Sequence, residues 1–391
     1  MNTMKRLLSL IIIAVVAANC QPKSQVEVPI SKGTNTEMLP LVADKPIKNV
    51  ILLIADGTGL GQISTGQLNL VGADDYLALQ TMPITGIVKT HSSSSLITDS
   101  AAGATAYSCG QKTDNGMIGY LPDGTHCKTL LELAIDKGMK TGLVATSTIT
   151  HATPASFAAH VESRRDEDVI AEHFLESNTD VFLGGGRSFF IPQTEEGSRR
   201  SDDFNLVEKF EEKGYSYLQT AEELKATNGD KLLGLFADGG LDSENRTPTL
   251  AEMTDKAIST LNNNENGFFL MIEGSQIDWG GHGNDSEYVI REVKDFDDAV
   301  KRVLEFAQKD GETLVVLTAD HETGGLTMMT DSEDPHTLQV NWVTDYHTGV
   351  PIPLMAYGPH AIKFTGWQDN TDVGIKIAEL MNFGEFPINL E

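Results

Sequence analysis

Asp278-Trp279-Gly280-Gly281-His282 sets a carboxylate and an imidazole four residues apart in a glycine-rich turn. Such a pair can face one cation, because zinc takes imidazole nitrogen and carboxylate oxygen as ligands. Asp320-His321 offers a second pair, provided the chain turns there, and Gly324-Gly325 just beyond supports a turn. His347, in Tyr346-His347-Thr348-Gly349, is a further imidazole; standing alone it reads as structural or exposed. Glu273 directly follows the apolar residues 268–272. A carboxylate at the end of so apolar a run needs cations or a helix N-terminus, because burying an unpaired charge is costly. Ser100 lies in Thr98-Asp99-Ser100-Ala101-Ala102-Gly103-Ala104-Thr105-Ala106. The small residues after it favour helix, which puts Ser100 at or near a helix N-terminus. There, backbone amides and the helix dipole favour negative charge, although a serine in that place is often only a cap.

Stepping these residues into one place requires elements that end together. Apolar runs of strand length recur at 50–55, 142–145, 180–183, 268–272, 314–318 and 352–356. Helical patterns such as 128–137 alternate with them. Continuous apolar runs between helices predict a mostly parallel sheet covered on both faces, a three-layer α/β sandwich. Asp56, Glu273 and Asp320 each come just after such a run. Sites in open α/β sheets lie beyond the carboxyl ends of the strands, so the three carboxylates are expected to converge.

The 391 residues suit one large domain, and 40% hydrophobic residues allow a sizeable core. The 56 acidic against 29 basic residues give a formal charge of −27. That disfavours nucleic acid, beyond terminal phosphates, and anionic membrane surfaces as partners. Lys5 and Arg6, the apolar stretch 7–18 and the small residues Ala17 and Ala18 read as a signal peptide over 1–19. Cys20 sits where a bacterial lipoprotein is cut and lipidated, although Asn19 is not the small residue preferred there. The expectation is an exported protein, periplasmic or at the cell surface, with a lipid anchor as one form. Residues 20–46 read as a flexible lead and 47–391 as a single catalytic domain. Cys109 and Cys127 are compatible with a disulfide or with two buried thiols.

Five separated segments together resemble the alkaline phosphatases, in the same order, from about residue 47 to the C-terminus. They are Asp56-Gly57, then Thr98-Asp99-Ser100-Ala101-Ala102, then His151-Ala152-Thr153-Pro154-Ala155 with Ser163-Arg164. Glu273-Gly274-Ser275-Gln276-Ile277-Asp278 with His282 follows, and last Thr318-Ala319-Asp320-His321 with His347-Thr348-Gly349. The resemblance implies an alkaline-phosphatase-like fold and hydrolysis of small phosphate monoesters through a phosphoserine, with two zinc ions and one magnesium. It implies that Asp278, His282 and His347 hold one zinc and that Asp56, Asp320 and His321 hold the other. Asp56 would also bridge to magnesium held with Thr153 and Glu273. Ser100 would be the nucleophile and Arg164 the clamp on the phosphoryl oxygens. His151 and Trp279 stand where some members carry Asp and Lys and, with Asp99, are expected beside the ligands rather than among them. Only 25 residues separate His321 from His347. The long insert that builds a subunit crown in some members is therefore expected to be absent, leaving a monomer or a homodimer. Sulfatases of the superfamily carry Cys/Ser-x-Pro-x-Arg; residues 100–104 lack that Pro and Arg.

Overall fold

A computed structural model describes residues 26–390, apart from 32, 34, 35 and 330–336. The stretch read as a signal peptide, and Cys20, lie outside the described residues. The domain is built on a ten-stranded sheet. Its order is Gly366–Asp369, Ile84–Lys89, Ile352–Tyr357, Thr313–Thr318, Asn49–Ala55, Phe268–Gly274, Lys140–Thr148, Val181–Gly185, Leu232–Leu235, Ser216–Leu218. All pairs are parallel except the two made by Ile352–Tyr357, which runs against both neighbours.

The central strands are apolar on both faces, and the alternation of side chains divides the core in two. Val50, Leu52 and Ile54 pack with Phe269 and Met271 against helices that carry Ala101, Tyr107, Leu130 and Phe157. Ile51, Leu53, Phe268, Leu270 and Ile272 pack on the opposite face with Ile63, Met253, Val293 and Phe296. The three layers and the mostly parallel sheet match the expectation from the sequence. The helix Ser286–Asp310 spans much of the second face. Asp285 caps its start by accepting from the Tyr288 amide at 3.0 Å, and Gly311, with φ 73°, ends it.

Three local expectations are corrected. The lead read as flexible holds a strand, Val26–Pro29, paired antiparallel with Thr337–Asn341, and Val28 is buried. The segment read as a glycine-rich turn is a helix, Gln276–Gly283. Glu273 lies within its strand, Phe268–Gly274, rather than after it. Of the two cysteine alternatives, the disulfide Cys109–Cys127 is present.

Candidate active site and metal centre

The central strand Asn49–Ala55 has Thr313–Thr318 on one side and Phe268–Gly274 on the other, all parallel. Their carboxyl ends therefore deliver Asp56, Asp320 and Glu273 to one edge of the sheet. Behind Asp56 the chain turns through Gly57, whose φ is 70°. A Cβ there would come within 2.5 Å of the Asp278 Cα, so only glycine lets the strand Asn49–Ala55 end this close to the helix Gln276–Gly283. On that helix Asp278 and His282 are four residues apart and share a face, with His282 Nε2 3.4 Å from Asp278 Oδ2. His347 arrives on the short strand His347–Thr348, paired with Glu322–Thr323, and its ring stacks on that of His321 at 3.5 Å between centroids.

The three imidazoles share one arrangement. Nδ1 of His282 lies 2.7 Å from the Asp345 carbonyl, and Nδ1 of His347 lies 2.9 Å from the Thr98 carbonyl. Nδ1 of His321 lies 3.2 Å from the Thr323 hydroxyl, which donates to Asp278 Oδ1. Each Nδ1 thus carries the proton, and each Nε2 lone pair faces the site. The Nε2 atoms of His282 and His347 are only 3.2 Å apart, a convergence that suits two ligands of one cation.

The carboxylates tell the same story through what they lack. Asp56, Glu273 and Asp320 are fully buried. Both oxygens of Asp56, Oε1 of Glu273 and Oδ2 of Asp320 have no hydrogen-bond partner, nor do Thr153 Oγ1 and His151 Nδ1. Unpartnered buried oxygens in such number are costly unless cations meet them. Burial, followed by the charges of Asp320, Asp278 and Glu273, pushes the Asp56 carboxyl well up. Burial likewise raises Glu273 to about 7, against a 2.6 Å hydrogen bond from Ser275. Burial also acts on Asp278, yet the imidazoles of His282, His321 and His347 hold it below its ordinary value. Donor atoms within 4.8 Å of one another form three groups: Asp278, His282 and His347; Asp56, Asp278 and His321; and Asp56, His151 and Glu273. The first is the trio expected for one zinc. In the second, Asp320 stands beside the group, its Oδ2 3.2 Å from His321 Nε2. In the third, His151 takes a place that the sequence reading kept for a neighbour, while Thr153 lies on the helix His151 caps. Trp279 meets the His151 ring edge-on at 6.3 Å and contributes no oxygen or nitrogen to these groups.

Ser100 opens the helix Ser100–Cys109, and the cap is Asp99. Oδ1 of Asp99 accepts from the Ala102 amide at 3.0 Å, and its Oδ2 accepts from Arg164 Nη1 at 3.0 Å. Arg164 Nη2 lies 3.2 Å from His151 Nε2, and burial and the Arg164 charge push His151 down to about 3. Ser100 Oγ is 3.3 Å from His321 Nε2. All ten residues expected as nucleophile, clamp or ligand thus meet at one edge of the sheet. The sequence reading missed Thr323, Ser147 and Ser275, whose hydroxyls orient His321, Asp278 and Glu273. Ser275, inside the matched 273–278 segment, and Thr323, between Asp320-His321 and Gly324-Gly325, stood near signals that could have found them.

Comparison with known proteins agrees. The family model described as "Alkaline phosphatase" matches residues 47–336. Alkaline phosphatase 4 of Bacillus subtilis (strain 168) is 36% identical over 422 residues, covering 87% of this chain and 90% of that protein. The solved alkaline phosphatase of the Antarctic bacterium TAB5 superimposes with a TM-score of 0.80 at 39% identity, over 87% of this chain and all of that one. A mutant of the TAB5 enzyme with Mg bound in its M3 site matches equally well, with a TM-score of 0.80 at 39% identity, over 88% of this chain and all of that one. On the extent of these matches, and with three groups of metal donors gathered at one edge of its sheet, the chain belongs to the alkaline phosphatase family and is a metal-binding phosphomonoesterase.

Proposed function

We propose that the enzyme hydrolyses phosphate monoesters through a phosphoserine at Ser100. The observation that carries this is the meeting of three functions: Ser100 Oγ lies 3.3 Å from His321, the orphaned carboxylates adjoin it, and Arg164 is steadied by Asp99. One zinc would be held by Asp278, His282 and His347, and the other by Asp56, Asp320 and His321. Magnesium would be held by Asp56, Glu273 and Thr153, with His151 in reach; a TAB5 mutant has Mg in its M3 site. When bound, these ions supply positive charge against phosphoryl and leaving oxygens and make a hydroxyl nucleophilic near neutral pH.

The chain's own residues then divide the work. Arg164 offers the phosphoryl group a planar fork, with Asp99 fixing the plane. Ser100 sits where the first amides of its helix favour the charge that develops on the bound ester. Its Oγ gives up its proton and forms a bond to phosphorus as the bond to the alcohol oxygen breaks, and that oxygen takes up one proton in balance. Water then attacks the phosphoserine, the P–Oγ bond breaks, and Ser100 and inorganic phosphate are released.

A purified, metal-loaded preparation should turn over an aryl phosphate, lose the activity to a chelator and regain it with zinc and magnesium together. Ser100→Ala should keep its metal and lose turnover by about a thousandfold or more. Absence of monoester turnover in fully loaded protein would move the assignment to diesters or sulfates. We also propose export by the segment 1–19, on the strength of its charge and apolar pattern. Cleavage before Cys20, or none, is read by N-terminal sequencing of the mature protein.

A further inference from the structure

Beside the site lies a cavity of about 530 Å³ lined by His151, Arg164, Arg165, Glu167, Phe189 and Arg199. Two of its charges are already engaged. Arg164 is paired with Asp99, and Glu167 Oε2 accepts from the Thr148 and Thr150 hydroxyls at 2.6 and 2.7 Å. Arg165 and Arg199 have no carboxylate partner among the described residues. Arg187, Arg200, Arg246 and Arg302 all have one, and Arg291, which has none, lies over the Tyr288 ring away from this cavity. In a chain with 56 acidic and 29 basic residues, a free guanidinium is easily neutralised, so two facing one cavity stand out.

Both are also held. The Arg199 guanidinium carbon lies 5.6 Å from the centre of the Phe189 ring, and its amide donates to the Ser188 carbonyl at 2.8 Å. Arg165 follows Arg164, whose amide donates to the Gly116 carbonyl at 2.8 Å, and its own amide donates to Ser163 Oγ at 3.2 Å. Planar guanidinium forks match phosphate oxygens in pairs, where a lysine would offer only a point charge.

We propose that Arg165 and Arg199 form an anion subsite beside Arg164 that takes the second phosphate of a substrate carrying two on one small carbon skeleton. This rests on the reading above, in which Arg164 holds the phosphoryl group that leaves. Chemistry is unchanged: water is consumed, one monoester bond breaks, and the other phosphate stays on the product.

The test compares kcat/KM for a hexose bisphosphate with that for an aryl monophosphate, in the metal-loaded full chain and in Arg165→Ala/Arg199→Ala. The ratio should fall about tenfold or more, through a higher KM for the bisphosphate, and the wild-type ratio should itself fall as salt is raised. An unchanged ratio, or a fall confined to kcat, overturns the subsite. Methylenebisphosphonate, which is not hydrolysed, gives a reading independent of turnover. Its Kd relative to that of inorganic phosphate should rise about tenfold in the double variant, and an unchanged relative Kd overturns the proposal. Failure of the wild type to turn over the aryl ester would instead count against the phosphatase reading, so the two failures are distinguishable.

Discussion

Replacing Thr323 by Val should cost zinc without costing the fold. The side chain is fully buried, and Val branches at the same atom with nearly the same volume, so no cavity opens. What disappears is one hydroxyl with two tasks. It takes the proton of His321 Nδ1 at 3.2 Å and gives its own to Asp278 Oδ1. Without it, nothing in that place holds the His321 proton on Nδ1, and the tautomer with the proton on Nε2 has no lone pair for a cation. Asp278 loses a donor at the same time. Removing such outer partners costs about 10- to 100-fold in metal affinity, equivalent to about 1.4–2.7 kcal/mol. Because Thr323 serves residues of two donor groups, the loss should appear at both proposed zinc positions. Competition against a chromogenic chelator measures it, with Thr323→Ser as the control that keeps the hydroxyl and stays within about threefold of wild type. Wild-type zinc affinity in Thr323→Val would refute the argument that this hydroxyl sets the His321 tautomer.

Gly57→Ala should lower stability by about 3 kcal/mol in urea unfolding, because it combines a φ of 70° with a Cβ 2.5 Å from backbone; an unchanged midpoint would sink the close-approach argument. Removing the Cys109–Cys127 bridge by a double Ala substitution should cost about 3 kcal/mol, given 18 residues of separation. A pH effect is expected at His160, whose Nε2 lies 2.9 Å from Glu132 Oε1 and whose ring stacks on His126. Burial lowers His160, but the Glu132 contact outweighs it and raises the net value; burial raises Glu132, but His160 outweighs it and lowers the net value. His126 and His173, its other titratable neighbours, are both lowered, chiefly by burial. The His160 contribution is complete below its unfolded pKa and is lost as pH rises through the folded one, and the Glu132 contribution is lost as pH falls below its unfolded value. The stability advantage of wild type over His160→Gln should therefore be largest between about pH 5 and 6.5 and shrink by pH 8; growth of the advantage with pH would contradict it.

What the sequence made legible was whatever repeats locally. Runs such as 268–272 are apolar at every position, which is the mark of a strand buried on both faces, and the carboxylates follow them in plain view. The helix Gln276–Gly283 was hidden because its glycines argue for a turn. They are tolerated because a Cβ at Gly280 would meet Val289 at 2.8 Å, and one at Gly281 would meet Thr323 at 2.9 Å. Tertiary packing there overrides propensity. Val26–Pro29 was hidden for the opposite reason: four residues in a polar stretch carry no period, and their partner strand lies more than 300 residues away. The candidate metal ligands were read from family segments, whereas the contacts of Thr323 and Asp99 reach neighbours 45 and 65 residues distant that no local pattern reports.

The lone reversed strand, Ile352–Tyr357, has a wider meaning. Every parallel strand contributes to the catalytic edge what comes after it, but a reversed strand contributes what comes before it, as His347 does. Its register pairs Thr318 with Leu354, so the chain leaves the sheet and returns to it at almost the same point. The excursion between them is a detour that carries Asp320, His321 and His347. Lengthening such a detour costs only about 0.6 kcal/mol of closure entropy per doubling. The architecture thus separates what is fixed from what is free to diverge: the detour can lengthen between its anchored ends, while the parallel strands that deliver Asp56 and Glu273 keep their register.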